Sequence, residues 1–300
     1  MKYLTYLVVA TVGLSYAYAQ TTNTVWNATV TVLNEVGQPM AGAYVEIGYY
    51  IKPPSGQSEA GENIHGLTDS NGIFTASHEN TGSIDLGFRA SKAGYHNTVK
   101  EHEFATFRDS DPQKWNPTTT LQLKKVGKPI AMYAKQITSL KVPEFNKAIA
   151  YDLMIGDWVG SYGKGINTDL FITEKHTTPQ SGYILSVSFP NHGDGIQEFT
   201  LSEWEKGSDL RSPHEAPVDG YQPELAQTET TNPKRNFYFR VRTKLDESGN
   251  VVSARYGKIY GDLAQFTYYF NPTLNDRNVE FDPKQNLLGG LQSFEQVTAP

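Results

Sequence analysis

Cysteine is absent from all 300 residues. That absence excludes disulfides, zinc–thiolate sites, a thiol nucleophile and a lipid-modified cysteine behind a leader peptide. Basic surplus is also missing: the formal charge is −6, with 8 basic and 11 acidic residues over 20–126, 17 and 21 beyond, and Lys2 completing the sum. Nucleic acid is therefore not an expected partner. Past the first twenty residues there is no apolar run long enough to cross a bilayer. Neither H-E-x-x-H nor G-x-S-x-G occurs, so zincin and serine-hydrolase chemistry have no sequence support.

The chain opens MKYLTYLVVATVGLSYAYAQ, with one lysine, an apolar run over Tyr3–Leu14 and a small-x-small site at Ala17-Tyr18-Ala19. This is the pattern of a secretory signal peptide over 1–19. Cleavage would leave Gln20 at the amino terminus of a secreted or periplasmic protein with no transmembrane segment. A chain of this length without disulfides must hold itself together by burial, which suits two domains. Its 18 tyrosines, 14 phenylalanines and 26 glycines, with Thr/Val alternation, predict strands joined by turns. The expected fold is all-β.

In the first part Val30 and Val32 alternate with Thr29 and Thr31, and Ala43, Val45 and Ile47 alternate with Tyr44 and Glu46. Asp69-Ser70-Asn71-Gly72 is a turn with glycine where positive φ is needed. The stretch 52–66 reads as a polar loop and 118–125 as a closing strand. Gly37-x-Pro39, Gly42-Ala43-x-Val45, Thr68-Asp69-x-x-Gly72-x-Phe74, Lys92-x-Gly94-Tyr95 and Leu121-x-Leu123 together resemble the carboxypeptidase-regulatory-like, prealbumin-like domain. The resemblance covers about 26–125 and implies an Ig/prealbumin-like seven-stranded sandwich, an accessory module without catalysis, as the domain over 20–125.

Residues 126–158 read as a linker into a second, larger antiparallel β domain, sandwich or barrel-like, over 126–300. Its strands are interrupted by a four-proline stretch over 207–235, a loop length that in a compact domain is either mobile or functional. GDWVGSYGKG, LRSPHEAPVDGYQP and NPTLNDRNVEFDPKQNL are similar to segments of secreted bacterial proteins of unknown function that join such a region to a prealbumin-like module. The resemblance covers about 126–288 and implies an architecture, with no activity attached.

Candidate chemistry is sparse. Asp276, Asn278, Glu280 and Asp282 stand at every second position, D-x-N-x-E-x-D. An EF-hand starting at Asp276 would need glycine sixth and glutamate twelfth, where Phe281 and Leu287 stand. Three readings remain: a turn-rich fastener, a calcium or other hard-cation site in which Asp276, Glu280 and Asp282 converge, and catalysis. Calcium is the one cofactor considered. His192 and Asp194 with His214 form a weaker metal set. Asp157, Asp169, Asp194, Asp262 and Asp276 are candidates for a glycosidase pair, with no spacing that couples any two. Trp158, Tyr162, Tyr221 and Tyr260, flanked by Gly, Asp or Pro, are the ligand-binding candidates, as aromatic faces for sugar or peptide; core tyrosines read the same way in sequence. The expected role is a non-enzymatic binding or structural module with a polysaccharide or an envelope protein as partner; a carbohydrate-active hydrolase is the enzyme alternative.

Overall fold

The structure is a computed structural model and describes residues 24–51, 60–80, 84–103, 116–178, 181–227, 232 and 234–300. The signal peptide expected over 1–19 falls outside the described residues. No helix is long and apolar enough to cross a membrane, which says nothing of a β-barrel.

The first unit comprises β1 (Thr24–Asn34), β2 (Tyr44–Ile51), β3 (Ala60–Leu67), β4 (Ile73–Asn80), β5 (Ile84–Ser91), β6 (Thr98–Glu103) and β7 (Thr118–Leu123). Two sheets, ordered β4-β1-β7 and β3-β2-β5-β6, stack as a sandwich. Their inward positions are those read from alternation: Val30 and Val32 face Val45, Ile47, Phe88 and Leu121, all at most 1% exposed. Gly72 takes φ +75° in the turn that Asp69 closes by accepting the N–H groups of Asn71 and Ile73. The pairing of β1 with β7 is parallel. One detail differs from expectation. The second half of the supposed polar loop is β3, paired with β2 from Tyr44↔Leu67 to Ile51↔Ala60. An edge strand needs apolar residues on one face only, and there β3 offers little beyond Ile64, so its composition disguises it as a loop.

The second unit is built from β8 (Ile130–Ile137), β9 (Ile149–Asp152), β10 (Asp157–Trp158), β11 (Leu170–Thr178), β12 (Ser181–Ser188), β13 (Gly195–Glu198), β14 (Glu224–Gln227), β15 (Asn236–Leu245), β16 (Val251–Gly261), β17 (Phe266–Asn271) and β18 (Phe281–Asn286). A five-stranded sheet, β10-β9-β11-β12-β14, lies against a six-stranded one, β13-β15-β16-β17-β8-β18, and neither closes on itself. Between them sit Ile149, Leu170, Ile172, Leu185, Val187, Phe237, Phe239, Ile259 and Phe270. Each such side chain contributes about 1.5–3 kcal/mol on full burial. The "linker" 126–158 thus contains three strands, β8, β9 and β10, and β8 lies inside the larger sheet between β17 and β18, with Tyr133 and Ile137 packed against the core between the sheets and Met132 and Ala134 turned to the other face. Pairing is antiparallel except for β18 with β8.

The outer face of the six-stranded sheet is covered as well. Tyr238, Ala254 and Tyr256 pack with Ala216 and Val279, and Tyr260 and Tyr269 with Met132, Phe281 and Val297. That accounts for the near-continuous burial along β16 and β17, and it explains much of the long stretch 207–235: Leu210, Ser212 and Ala216, each 0% exposed, pack over the sheet.

Candidate functional site at the junction of the two sandwiches

The turn between β5 and β6 is held to the second unit by backbone. Thr98 bridges to Ser208, Asp209 donates its N–H to the Asn97 carbonyl at 2.9 Å, and Val126 donates to Gly94 at 2.8 Å. A Cβ on Gly207 would overlap the Val99 carbonyl, so this approach is open only to glycine.

His96 leaves that turn with its side chain buried and its backbone N–H bonded to the Lys124 carbonyl. Its Nε2 lies 2.7 Å from Oε1 of Glu280, which is itself fully buried just before β18. Glu280 Oε1 also accepts the N–H of Gly127 at 3.0 Å, and Oε2 that of Lys128 at 2.8 Å. His214, from the long covering stretch, brings its Nε2 to 3.8 Å from Glu280 Oε2 and 2.9 Å from the Lys125 carbonyl. Burial alone would raise the Glu280 pKa. The His96 hydrogen bond, the Gly127 amide and the charge of His214 outweigh it and hold the carboxyl below its ordinary range. Among the described residues these three are the one set of three His, Asp or Glu side chains close enough to share an ion, with ligand atoms within 4.8 Å of one another.

The acidic run therefore divides in a way that its even spacing does not suggest. Glu280 points to the junction, whereas Asp276 accepts the N–H of Asn278 and Asp282 those of Lys284 and the Gln285 amide. Asp276, Glu280 and Asp282 do not converge, because regular strand geometry begins only at Phe281 and the residues before it form a chain of side-chain-to-backbone turns. The asparagines do the fastening. Asn271 donates to the carbonyls of Asp276 and Asn278, Asn275 accepts from Ala254, Asn278 donates to Lys128, and Asn286 both accepts from and donates to Ala134. His214 likewise joins His96 and Glu280, and the three-residue set does not include His192 or Asp194; Asp194 is held by Asn191 and the Thr243 N–H.

Beside the junction lies a second buried polar group. Lys258 is 0% exposed, with its Nζ 4.7 Å from the ring centres of Tyr260 and Tyr269 and 3.3 Å from Ser212 Oγ. Burial, then the nearby charges of Arg211 and Lys124, push its pKa well below the lysine range. A serine, a lysine and a tyrosine in contact would resemble a nucleophile set, yet Ser212 is 0% and Tyr260 3% exposed, so no substrate reaches them. Tyr260 is for the same reason no ligand platform.

The other aromatic candidates are spread apart. Tyr221 is pressed between Arg240, 4.7 Å from its ring centre, and Tyr256, and donates to the Pro217 carbonyl. Tyr162 is engaged by Glu144 and Lys147. Trp158 does line an open groove of about 200 Å³ with Phe294, Leu140, Lys141, Asp157 and Glu295. The groove's second wall is the carboxyl-terminal turn, docked on β8 by Lys135, which pairs with Glu295 at 3.0 Å and donates to the Gly156 carbonyl. Tyr151 meets Trp158 edge-on at 5.2 Å and fixes its ring from below.

The aspartates considered as acid and base serve the backbone. Asp169 is chelated by Arg242 at 2.6 and 3.0 Å and accepts the Leu153 N–H. Asp157 accepts from Trp158 and Lys164, and Asp262 from Asn232, Ala264 and Gln265. Burial raises the Asp169 pKa against the pull of Arg242. Sequence reasoning overlooked His96, Lys258 and Asp152; a histidine directly after the Lys-x-Gly-Tyr turn was the one signal for the first.

No family model and no curated protein matches the chain. Solved structures align with it weakly. The 3-chlorocatechol 1,2-dioxygenase of Rhodococcus opacus is 14% identical over 36% of this chain and 62% of its own, with a TM-score of 0.26. The major pilin SpaD of Corynebacterium diphtheriae is 10% identical over 78% and 60%, also at 0.26. A putative carbohydrate binding protein of Bacteroides uniformis is 8% identical over 83% and 98%, at 0.19. The chain spans about three-fifths of the length of the dioxygenase, and TM-scores at this level carry no argument about role.

Proposed function

We propose that the protein is an exported, non-enzymatic binding module of the cell envelope or extracellular space, taking a saccharide in the groove at Trp158. In this reading a carboxypeptidase-regulatory-like sandwich over 20–125 supports a larger β domain over 126–300 that carries the ligand. Export rests on the leader sequence. The groove itself carries the reading: an indole fixed by Tyr151, a second aromatic, Phe294, 59% exposed at the rim, and Asp157, Glu295 and Lys141 alongside. Stacking on an aromatic face with polar groups at the ring edge is how a pyranose is held. The chelation of Asp157, Asp169 and Asp262 by backbone and arginine supports binding over hydrolysis, since a glycosidase needs two carboxyl groups facing one another across the bond to be cut.

Tryptophan fluorescence and calorimetry of residues 20–300 against soluble bacterial envelope polysaccharides test this. Saturable binding to at least one polysaccharide, weakened at least about tenfold by Trp158→Ala, is expected, with the glycan recovered intact. Unaltered affinity in Trp158→Ala, binding to none of the panel, or shortened glycan would each overturn the reading.

A further inference from the structure

We propose that His96, His214 and Glu280 form a divalent transition-metal site, suited to zinc, that ties the first sandwich to the second. The donors come from three separate segments, one on the β5–β6 turn and two from the second unit, so an ion held by all three spans the junction. Their chemistry selects the metal. Two imidazoles and one carboxylate suit zinc and its first-row neighbours, whereas calcium seeks six to eight oxygens. Three protein ligands around a four-coordinate ion leave one position for water, and His214, with its side chain 34% exposed, gives the otherwise buried cluster a path to solvent.

Space at the cluster is the second observation. Gly127 is not in the left-handed region, so its backbone does not demand glycine. A Cβ there would stand 2.7 Å from Glu280 Oε2, 2.9 Å from His214 Cδ2 and 3.3 Å from His214 Nε2. The missing side chain keeps clear the gap between carboxylate and imidazole. The Glu280 oxygens already face inward under the amides of Gly127 and Lys128, the kind of outer support that orients a ligating carboxylate. Binding needs a small movement: His96 Nε2 and Glu280 Oε1 separate from 2.7 Å to about the 3.3 Å spacing of tetrahedral ligands at zinc–ligand bonds of roughly 2 Å. His214 exchanges the Lys125 carbonyl for the ion.

The test uses tag-free protein, residues 20–300, stripped with EDTA and titrated with Zn²⁺, Co²⁺ and Ca²⁺ separately. One Zn²⁺ per chain by equilibrium dialysis is expected, with a rise in Tm of about 5 °C at a hundredfold excess over Kd. Co²⁺ should give the intense visible absorption of a four-coordinate ion. His214→Ala is the informative variant, because the side chain is about one-third exposed and its removal leaves Glu280 bonded to His96. It should fold with unchanged circular dichroism and lose zinc affinity on the order of 100-fold. His176→Ala, at an exposed histidine far from the cluster in the chain, should bind as the parent does. Zinc uptake below one-fifth of an equivalent at about 100 μM free metal, unaltered affinity in His214→Ala, or a thermal shift with Ca²⁺ but not Zn²⁺ would each overturn the site.

Discussion

Asp152 and Glu280 are both 0% exposed, and both accept backbone N–H groups, yet their surroundings differ in kind. Asp152 receives four amides, from Met154, Ile155, Ile166 and Asn167, and has Arg242 at 3.7 Å. All of this closes a single loop within the second unit. Glu280 receives two amides and faces two imidazoles, one of them from the other sandwich. A buried carboxylate surrounded by fixed donors is a fastener. One whose remaining contacts are with titratable, metal-competent groups from elsewhere in the chain can exchange a proton or an ion.

The largest expected effect tests the fastener side. Asp152→Ala strands four amides and removes one of the two carboxylates around Arg242, a residue held at φ +56° in a bulge of β15. Breaking a buried network of this kind costs about 3–5 kcal/mol, read as a lowered urea midpoint at pH 7. Burial tends to raise the Asp152 pKa, but the four amides outweigh it and leave it below the ordinary value. Its contribution is therefore complete above the unfolded carboxylate pKa and is lost as pH falls through the lower folded one. A loss under about 1 kcal/mol would erase the distinction between the two carboxylates.

Lys258 sharpens the comparison from the cationic side, as a buried charge whose nearest polar partner is one hydroxyl. Its folded pKa is depressed, so between that value and the unfolded one near 10.4 the unfolded chain binds the extra proton. Stability then rises with pH across the window, and neutral pH carries the penalty. Lys258→Met keeps the volume and removes the charge. It should stabilise the protein at pH 7 by about 1–2 kcal/mol and flatten the alkaline rise in Tm. A net loss at pH 7 would show that the ammonium is satisfied by Tyr260, Tyr269 and Ser212.

Much of this architecture was legible. The inward alternation of β1 and β2 and the Asp69–Gly72 turn gave the first sandwich its expected form, because each strand there buries one face. The six-stranded sheet was harder. Phe237–Phe239 and Tyr268–Phe270 are buried on both faces, and only the tertiary placement of Ala216 and Val279 at Tyr238, and of Phe281 and Val297 at Tyr269, reveals what covers the second. Edge strand β3 reads as loop since polar composition on a pleated edge hides the period, whereas β8 reads as linker although it is internal to its sheet and mostly apolar, because it is packed on both faces and carries no polar alternation. At the junction, Glu280 was visible as an acidic residue and His214 as a histidine in a proline-flanked stretch. Their meeting with His96 spans 184 residues between His96 and Glu280, and nothing in local spacing encodes it.

The smallest expected effect separates the two halves of D-x-N-x-E-x-D. Asp282 accepts one backbone and one side-chain hydrogen bond inside its own turn, which with Lys284 keep its carboxyl below the usual range at a site open to solvent. Solvent screens such contacts, so Asp282→Ala should cost no more than about 0.5 kcal/mol, and by the same amount with and without calcium. It should also leave zinc uptake intact, because the carboxylate two positions earlier is the one turned to the histidines. A Tm loss confined to calcium-containing buffer would instead mean that the acidic run gathers around an ion on its solvent side, and Glu280 would then have to leave the junction to join it.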